Sequence, residues 1–500
     1  MADADLRNVT ILVAVALYMI LCVAIGFWAM NRTKSTKDFF MAGRNIGVVV
    51  TGLAIFSSTL SGFGFVGGPG LVYMMGMSSV WMIVCAGIGM CISYYLNGKR
   101  LRVFAEYYDC ITLPSMVEHR YDSKTTRVLV AVAILLGVMG YMATQIMAMA
   151  MVMVSLFQDI EMLQNIGFVT CAIVATSFLV FYCVTGGILA SLYTDVVQGG
   201  IMMVSAVLIF VTAIFIFAGG PTETVTTIFQ DDSEVVNAFG TFGMMGCLSW
   251  FLLFGLGGAG QPHVISKLMM SRNIKDSKQS LPVAFLTYSV AALLWISLGL
   301  VMRALVISGQ HPELANPDAA AAQFLQFYAH PVLAGIVFAA LFAAIMSTAD
   351  AFLNIGSAAL IHDIPMAITG RKLNNELVWA RWATVLIAGL AAGLAIYSHK
   401  ISGELVGLLG AFGWSTFAAA LFPVVAIGFN WKRASTLAAN VAIISSLAIN
   451  IFFKMVAVKL PFGFDSGAFS VLVSLVLFLG ISYLGPQKEL RPELKALIEV

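Results

Sequence analysis

Ser57-Ser58-Thr59-Leu60-Ser61-Gly62 breaks an apolar run that starts near Asn45. Gly255-Leu256-Gly257-Gly258-Ala259-Gly260, followed by Gln261-Pro262-His263, breaks a second run that starts near Phe239. Small and hydroxyl-bearing residues in the middle of a hydrophobic span predict an interrupted helix. Inside a bilayer the freed N–H and C=O groups are tolerated only where they are buried in protein or line a cavity. Two such interruptions at corresponding places in the two halves of a chain are the sequence mark of a binding site near the membrane midplane.

The rest of the chain supports a membrane setting. Of 500 residues, 60% are hydrophobic and only 10% charged, more apolar surface than a water-soluble fold can hide. The pattern predicts an all-α polytopic membrane protein with thirteen spans, at about 9–30, 46–74, 76–98, 126–157, 164–186, 188–218, 240–260, 281–307, 330–361, 378–398, 403–429, 434–453 and 466–484. The first is read as a true span, because its leading residues lack a basic segment and its apolar run is too long for a signal peptide. The fifth and sixth nearly touch at Gly186-Gly187.

Lysine and arginine test this layout. Alternate connections carry 22 of the 27 basic residues, Lys267 and Arg272 among them, and the opposite set carries only Arg7, Arg303, Lys400, Lys454 and Lys459. The positive-inside rule makes the rich side cytoplasmic, which puts the N-terminus outside and the C-terminus inside and requires an odd number of spans. The breaks open spans two and seven. Five spans per repeat inverts the second copy, so 46–218 and 240–429 read as a five-plus-five inverted repeat within one transmembrane domain. An extra helix at 9–30 precedes it, two helices at 434–484 follow, and a cytoplasmic tail occupies 485–500.

Candidate chemistry gathers at the breaks. Unwinding would free the carbonyls of Ser57 and Leu60. In span nine Ala344, Ser347 and Thr348 fall at i, i+3 and i+4 and share a face. Two hydroxyls and three carbonyls make an all-oxygen shell of the kind a hard cation takes, although small residues at such spacing also serve simple close packing of helices. Asp350 near the middle of the same span and Asp195 in Thr194-Asp195-Val196 are the carboxylates inside spans, candidates for a second cation or a proton. For a solute the candidates are Ser58, Thr59, Ser61 and Gly62 at the first break, Phe254, Gly257, Gly258 and Gln261 at the second, Tyr141 and Gln145 one turn apart on span four, and Trp414 and Ser415 on span eleven. Gly258 is expected to leave room in the wall. Positive half-helix ends suit a carboxylate. The seven cysteines show no metal or redox spacing, the methionines of span four read as adaptable packing, and Gly67-Gly68-Pro69-Gly70 lacks the ending of a phosphate loop. No transition metal, cofactor, enzymatic chemistry, nucleic acid or obligatory protein partner is expected, only a bilayer, a small solute and Na⁺ as the coupling ion.

At these residues the chain resembles the sodium/solute symporter family. The anchors are Asp38-Phe39-Phe40, Gly43-Arg44, Gly68-Pro69-Gly70, Thr185-Gly186-Gly187, Thr194-Asp195, Gln198-Gly199, Gly260-Gln261-Pro262-His263, Ala344 with Met346-Ser347-Thr348, and Phe422-Pro423. The resemblance implies a LeuT-like fold and places the family's shared sodium site at Ser57, Leu60, Ala344, Ser347 and Thr348. It also implies a second cation site in some members at an acid matching Asp195, where Asp350 stands in place of a serine. The look is nearest to the proline and pantothenate branches, with departures: Thr59 stands where the proline branch has an aspartate, and Phe254 and Gly258 where it has Trp and Tyr. The expected activity is sodium-coupled uptake of an amino acid such as proline, or of a small carboxylate, across the cell membrane. A proton-coupled carrier using Asp350 and Asp195 is a second reading. A solute sensor of transporter shape is a third, against which the short tail after Leu484 counts.

Overall fold

The computed structural model describes residues 2–30, 40–41, 46–158, 160, 163–217, 219–403, 405–486 and 489–499. The anchors Asp38-Phe39 and Gly43-Arg44 lie outside them, as do the side chains of Thr185, Gly186 and Gly187. Among the described residues the chain is helical, its only β feature an isolated bridge between Ile46 and Ser271. Among the described residues, eleven helices are long and apolar enough to cross a membrane.

The interrupted spans form as the small residues predict. Helix α1 (Ala2–Met30) is followed by α2 (Val48–Thr59), which stops at Leu60, and by α3 (Gly68–Met75), reached through a π-turn at Phe63–Gly67. The stop has a local cause. Ser57, Ser58 and Thr59 all turn their hydroxyls back onto the carbonyls of Ala54 and Ile55, a competition with the helical ladder that bends helices. After α4 (Val80–Tyr107), α5 (Leu113–Tyr121), α6 (Lys124–Gln158) and α7 (Phe168–Ile214), the second interruption runs from α8 (Gly243–Trp250) through a π-segment (Phe251–Leu256) and a 3₁₀ turn (Gly257–Gly260) to α9 (Pro262–Met270). Pro262 dictates where the helix parts. It disfavours helical geometry at the residue before it, and Gln261 is extended at φ −76°, ψ 116°. Pro262 itself suits the first turn of a new helix.

This corrects one expected boundary. The seventh span does not end at residue 260 but continues to Met270, so Lys267 lies within it, buried, rather than in a basic connection. Spans five and six are assigned as one helix, α7, of 47 residues. Tyr182 and Thr194, twelve positions apart, nonetheless have their hydroxyls in contact. Along a straight helix they would stand roughly 18 Å apart. The rod therefore folds back near Gly186-Gly187, and its limbs, Phe168–Val184 and Ser191–Ile214, correspond to the two expected spans.

Further helices include α10 (Ile274–Ile307), α11 (Ala320–Phe327), α12 (Pro331–Ala358), α13 (Glu376–Tyr397), α14 (Val406–Leu421), α15 (Thr436–Val456), α16 (Ser466–Leu484) and α17 (Pro492–Glu499). Helix α12 is the central rod. It packs on α7, α6 and α2, and its run of Ala, Gly, Ser and Thr lets those backbones come close. The N-terminal α1 lies against α7 and α12 from outside, and α15 and α16 pair on the flank of α14.

Candidate functional site

Where α2 stops, its last carbonyls meet hydroxyls from α12. Ser347 Oγ donates to the Ser57 carbonyl at 3.0 Å, and Thr348 Oγ1 donates to the Ser58 carbonyl at 3.2 Å. Both hydroxyls also lie 3.1 Å from the Ala344 carbonyl. Five oxygens, all buried and all uncharged, thus converge: three carbonyls and two hydroxyls. The structure brings together Ser57, Ala344, Ser347 and Thr348. It adds the Ser58 carbonyl, while the Leu60 N–H donates to the Phe56 carbonyl at 3.0 Å. Ser58 then contributes its backbone carbonyl to this cluster as an acceptor; its hydroxyl donates to the Ala54 carbonyl.

Next to this cluster lies a charged one. Asp195, on the second limb of α7, holds Lys267 Nζ of α9 at 3.0 Å, both side chains essentially inaccessible. The same ammonium donates to the Ala54 carbonyl at 2.6 Å, one turn below the Ser57 and Ser58 carbonyls. Asp350 Oδ1 accepts from Ser191 Oγ at 2.7 Å. The remaining oxygens, Asp195 Oδ1 and Asp350 Oδ2, are buried without a hydrogen-bond partner. Lys267 is the residue that sequence reading missed. A signal was available: His263 and Lys267 stand at i and i+4 on an apolar run that continues to Met270, so they share one helical face.

Around the two breaks the remaining backbone groups are satisfied by side chains from other helices, as a buried interruption requires. Gly62 N–H donates to Gln145 Oε1 at 2.9 Å, and Ser61 Oγ lies 3.1 Å from the Tyr141 hydroxyl. Across the bundle, Asn97 Nδ2 donates to the Ala259 carbonyl at 2.8 Å and Trp414 Nε1 to the Leu253 carbonyl at 3.2 Å. Gln261 Nε2 spans to the Gly257 and Trp414 carbonyls. Phe254 joins an aromatic cluster, stacked on Phe63 with centroids 6.1 Å apart and tilted against Trp414 at 5.5 Å. Thr59 Oγ1 donates to Ile55 at 2.7 Å and lies 3.4 Å from His263 Nε2. Ser61, Gly62, Tyr141 and Gln145 therefore meet at the first break, Phe254 stacks on Phe63 just after it, and Trp414 and Gln261 join Phe254 from the second break.

Three candidates are placed elsewhere. A Cβ on Gly258 would meet Gly89 Cα at 2.8 Å, so its smallness admits helix α4. Gly257 in the same way accommodates Ala418, whose Cβ would be 2.4 Å away. Ser415 faces α16, where a Cβ on Gly467 would sit 2.4 Å from the Ser415 Cβ.

A small cavity of about 30 Å³ lies against the charged cluster, toward the end of the bundle that carries Arg127. His263, Lys267, Met270, Asn354, Thr112 and Asp363 are among its lining. In its lining Asp363 Oδ1 accepts from Arg127 at 2.8 Å and from Thr112 at 2.6 Å.

Comparison with known proteins places this architecture. Residues 39–445 match the profile of the sodium:solute symporter family. The sodium/proline symporter of Escherichia coli is 30% identical over 435 residues, covering 84% of this chain and 83% of its own. The osmoregulated proline transporter of Bacillus subtilis is 27% identical over 447 residues, covering 88% of each. Among solved structures, a Na⁺-coupled sialic acid symporter in its substrate-bound outward-open state superposes with a TM-score of 0.76 at 20% identity, over 96% of this chain and 99% of that one. A nucleobase-cation-symport-1 family transporter in a closed conformation superposes at 0.57 and 12% identity, over 93% and 99%. At these identities the structural matches speak for the fold.

Proposed function

Since the chain belongs to the sodium:solute symporter family, we propose that it takes up a small organic solute with Na⁺ across the cell membrane, and that the solute is an amino acid such as proline or a small carboxylate. The observation that carries the reading is the meeting of Ser347 and Thr348 hydroxyls with the Ser57 and Ser58 carbonyls where α2 stops. With the Ala344 carbonyl they offer an uncharged, all-oxygen set suited to a hard monovalent ion. The solute sits beside it, against Ser61, Gly62, Tyr141, Gln145, Phe254, Gln261 and Trp414. The proline relatives favour an amino acid.

The end rich in basic residues is cytoplasmic by the positive-inside rule, with the N-terminus outside and the C-terminus inside. The cavity at Lys267 and His263 then faces the cytoplasm, and the Phe63, Phe254 and Trp295 rings close the opposite side. Residues 46–218 and 240–429 act as the two inverted repeats that rock about the breaks. Na⁺ and solute stabilise the same closed arrangement, so each raises the affinity of the other by the same factor. The inward sodium gradient and a membrane potential worth roughly 2.3 kcal/mol per charge per 100 mV drive uptake.

The test is uptake into proteoliposomes together with a thermal-shift screen of purified protein against amino and organic acids, with and without Na⁺. The expected result is a solute that stabilises only when sodium is present and accumulates only under an inward sodium gradient. Uptake that continues unchanged in sodium-free buffer and follows an imposed proton gradient overturns the sodium assignment. The partnerless Asp350 Oδ2 is the observation that favours that proton-coupled alternative.

A further inference from the structure

A buried ionised carboxylate needs a compensating positive charge beside it. Here that place has an occupant that belongs to the chain. Lys267 Nζ lies 3.0 Å from Asp195 Oδ2 and donates to the Ala54 carbonyl at 2.6 Å, and the two side chains are 2% and 0% exposed. The Ala54 carbonyl also receives the Ser57 hydroxyl at 3.2 Å and the Ser58 hydroxyl at 2.9 Å, which ties the ammonium to the floor of the cage. An ammonium is a compact monovalent point charge. In this position it neutralises Asp195 and coordinates a carbonyl from the interrupted helix, two things a bound Na⁺ would do.

We propose that the Lys267 ammonium is a tethered cation that fills the position beside Asp195, so that the protein carries one Na⁺ per solute where a chain lacking this contact would carry two. The inference rests on the sodium reading above and adds the number of ions to it. Its physical basis is the cost of leaving one partner of a buried ion pair uncompensated. If Lys267 is neutralised, Asp195 must find another positive charge, and the small cavity lined by Lys267 leaves space beside it for one. Neutralising both partners removes the demand.

Saturation binding of radiolabelled sodium to the purified full-length protein tests this, with Lys267→Gln and Asp195→Asn/Lys267→Gln beside the wild type. One ion per chain is expected in the wild type, two in Lys267→Gln and one again in the double variant. The sodium dependence of uptake should steepen from first order to second order in Lys267→Gln alone. Two ions in the wild type overturn the inference and leave the sodium assignment intact. No bound ion in the wild type overturns the sodium assignment itself. A folded Lys267→Gln that still binds one ion also sinks the tethered-cation inference. If that single variant fails to fold, the wild-type count decides, together with the double variant, which is neutral at both positions and must then bind one.

Discussion

The Thr348 hydroxyl donates to the carbonyl of Ser58 at 3.2 Å, across 290 positions of sequence. With the matching contact from Ser347 to Ser57, it joins the middle of an unbroken helix to the frayed end of a broken one. In an uninterrupted α2 both carbonyls would be spent within the helical ladder. The interruption is therefore what makes them available to a neighbour or an ion.

Replacing Ser347 and Thr348 together by alanine removes two of the five oxygens and leaves the three carbonyls in place. Hydrogen bonds to charged groups are worth about 1.5–3 kcal/mol each. The double variant should accordingly raise the sodium concentration for half-maximal uptake by roughly a hundredfold or more, since each 1.4 kcal/mol is a factor of ten. Uptake titrated against sodium, with the solute saturating, measures it. An unchanged titration would show that the ion binds elsewhere.

Gly258 yields a prediction of the opposite kind. It faces Gly89 of α4, and an added Cβ would stand 2.8 Å from the Gly89 Cα and 3.0 Å from its carbonyl carbon. Backbone cannot swing aside as a flexible side chain can. Gly258→Ala should therefore cost stability by about 1–3 kcal/mol, the usual price of overpacking, and shift the thermal midpoint downward. In the protein that remains folded the KM for solute should change little. A solute KM that moves while the midpoint stays put would return Gly258 to the substrate wall.

These two sites show what was legible in the sequence. The breaks were, because Ser57 to Gly62 and Gly255 to Gly260 put small residues where an apolar helix has no use for them, and Pro262 forces the residue before it out of the helix. The face shared by Ala344, Ser347 and Thr348 followed from helical periodicity alone. What a small residue faces was not legible. Gly258, Gly257 and Ser415 have the same smallness as Gly62, yet their neighbours Gly89, Ala418 and Gly467 come from distant helices. Lys267 was misplaced because a lysine next to Arg272, Lys275 and Lys278 reads as part of a basic connection. Only its partner Asp195, 72 positions away, shows that it points inward.

Asp318 lies in the 308–330 connection, outside the spanning helices, and is buried at the N-terminus of α14. Its Oδ2 accepts from the Val406 N–H at 2.7 Å, while Oδ1 faces the backbone of Gly70 on α3 without a hydrogen-bond partner. Burial pushes its carboxyl up to about 7 from an ordinary 3.8, and the Val406 N–H offsets only part of that. Between those values the folded protein keeps a proton that the unfolded chain has released. The folded state binds more protons there, so this group's contribution to stability falls as pH rises from about 4 to about 7 and stays lost above it. Asp318→Asn keeps an acceptor for Val406 and cannot ionise. Its thermal midpoint should decline less than that of the wild type between pH ~5 and ~8. Parallel declines would mean that Asp318 is not the responsible group.

Gln145 holds the backbone of the first break from the substrate side, beside the Tyr141 contact to the Ser61 hydroxyl. Its Oε1 accepts the Gly62 N–H at 2.9 Å, and a Cβ on Gly62 would lie 2.9 Å from that same oxygen, so glycine and glutamine are fitted to each other. Gln145→Leu keeps the bulk and removes the acceptor. The buried Gly62 N–H is then left unsatisfied, a cost of about 1–3 kcal/mol, unless the α2–α3 junction shifts to find another partner. Gly62 follows Leu60 by two residues and Ser57 by five, so a shift would disturb the carbonyls of the ion cluster as well as the solute wall. Both the solute KM and the sodium requirement should rise in Gln145→Leu. By reciprocity the sodium effect should shrink when solute is absent and binding alone is measured. A solute KM that rises with sodium binding untouched would confine Gln145 to the solute and break the proposed link between the two sites.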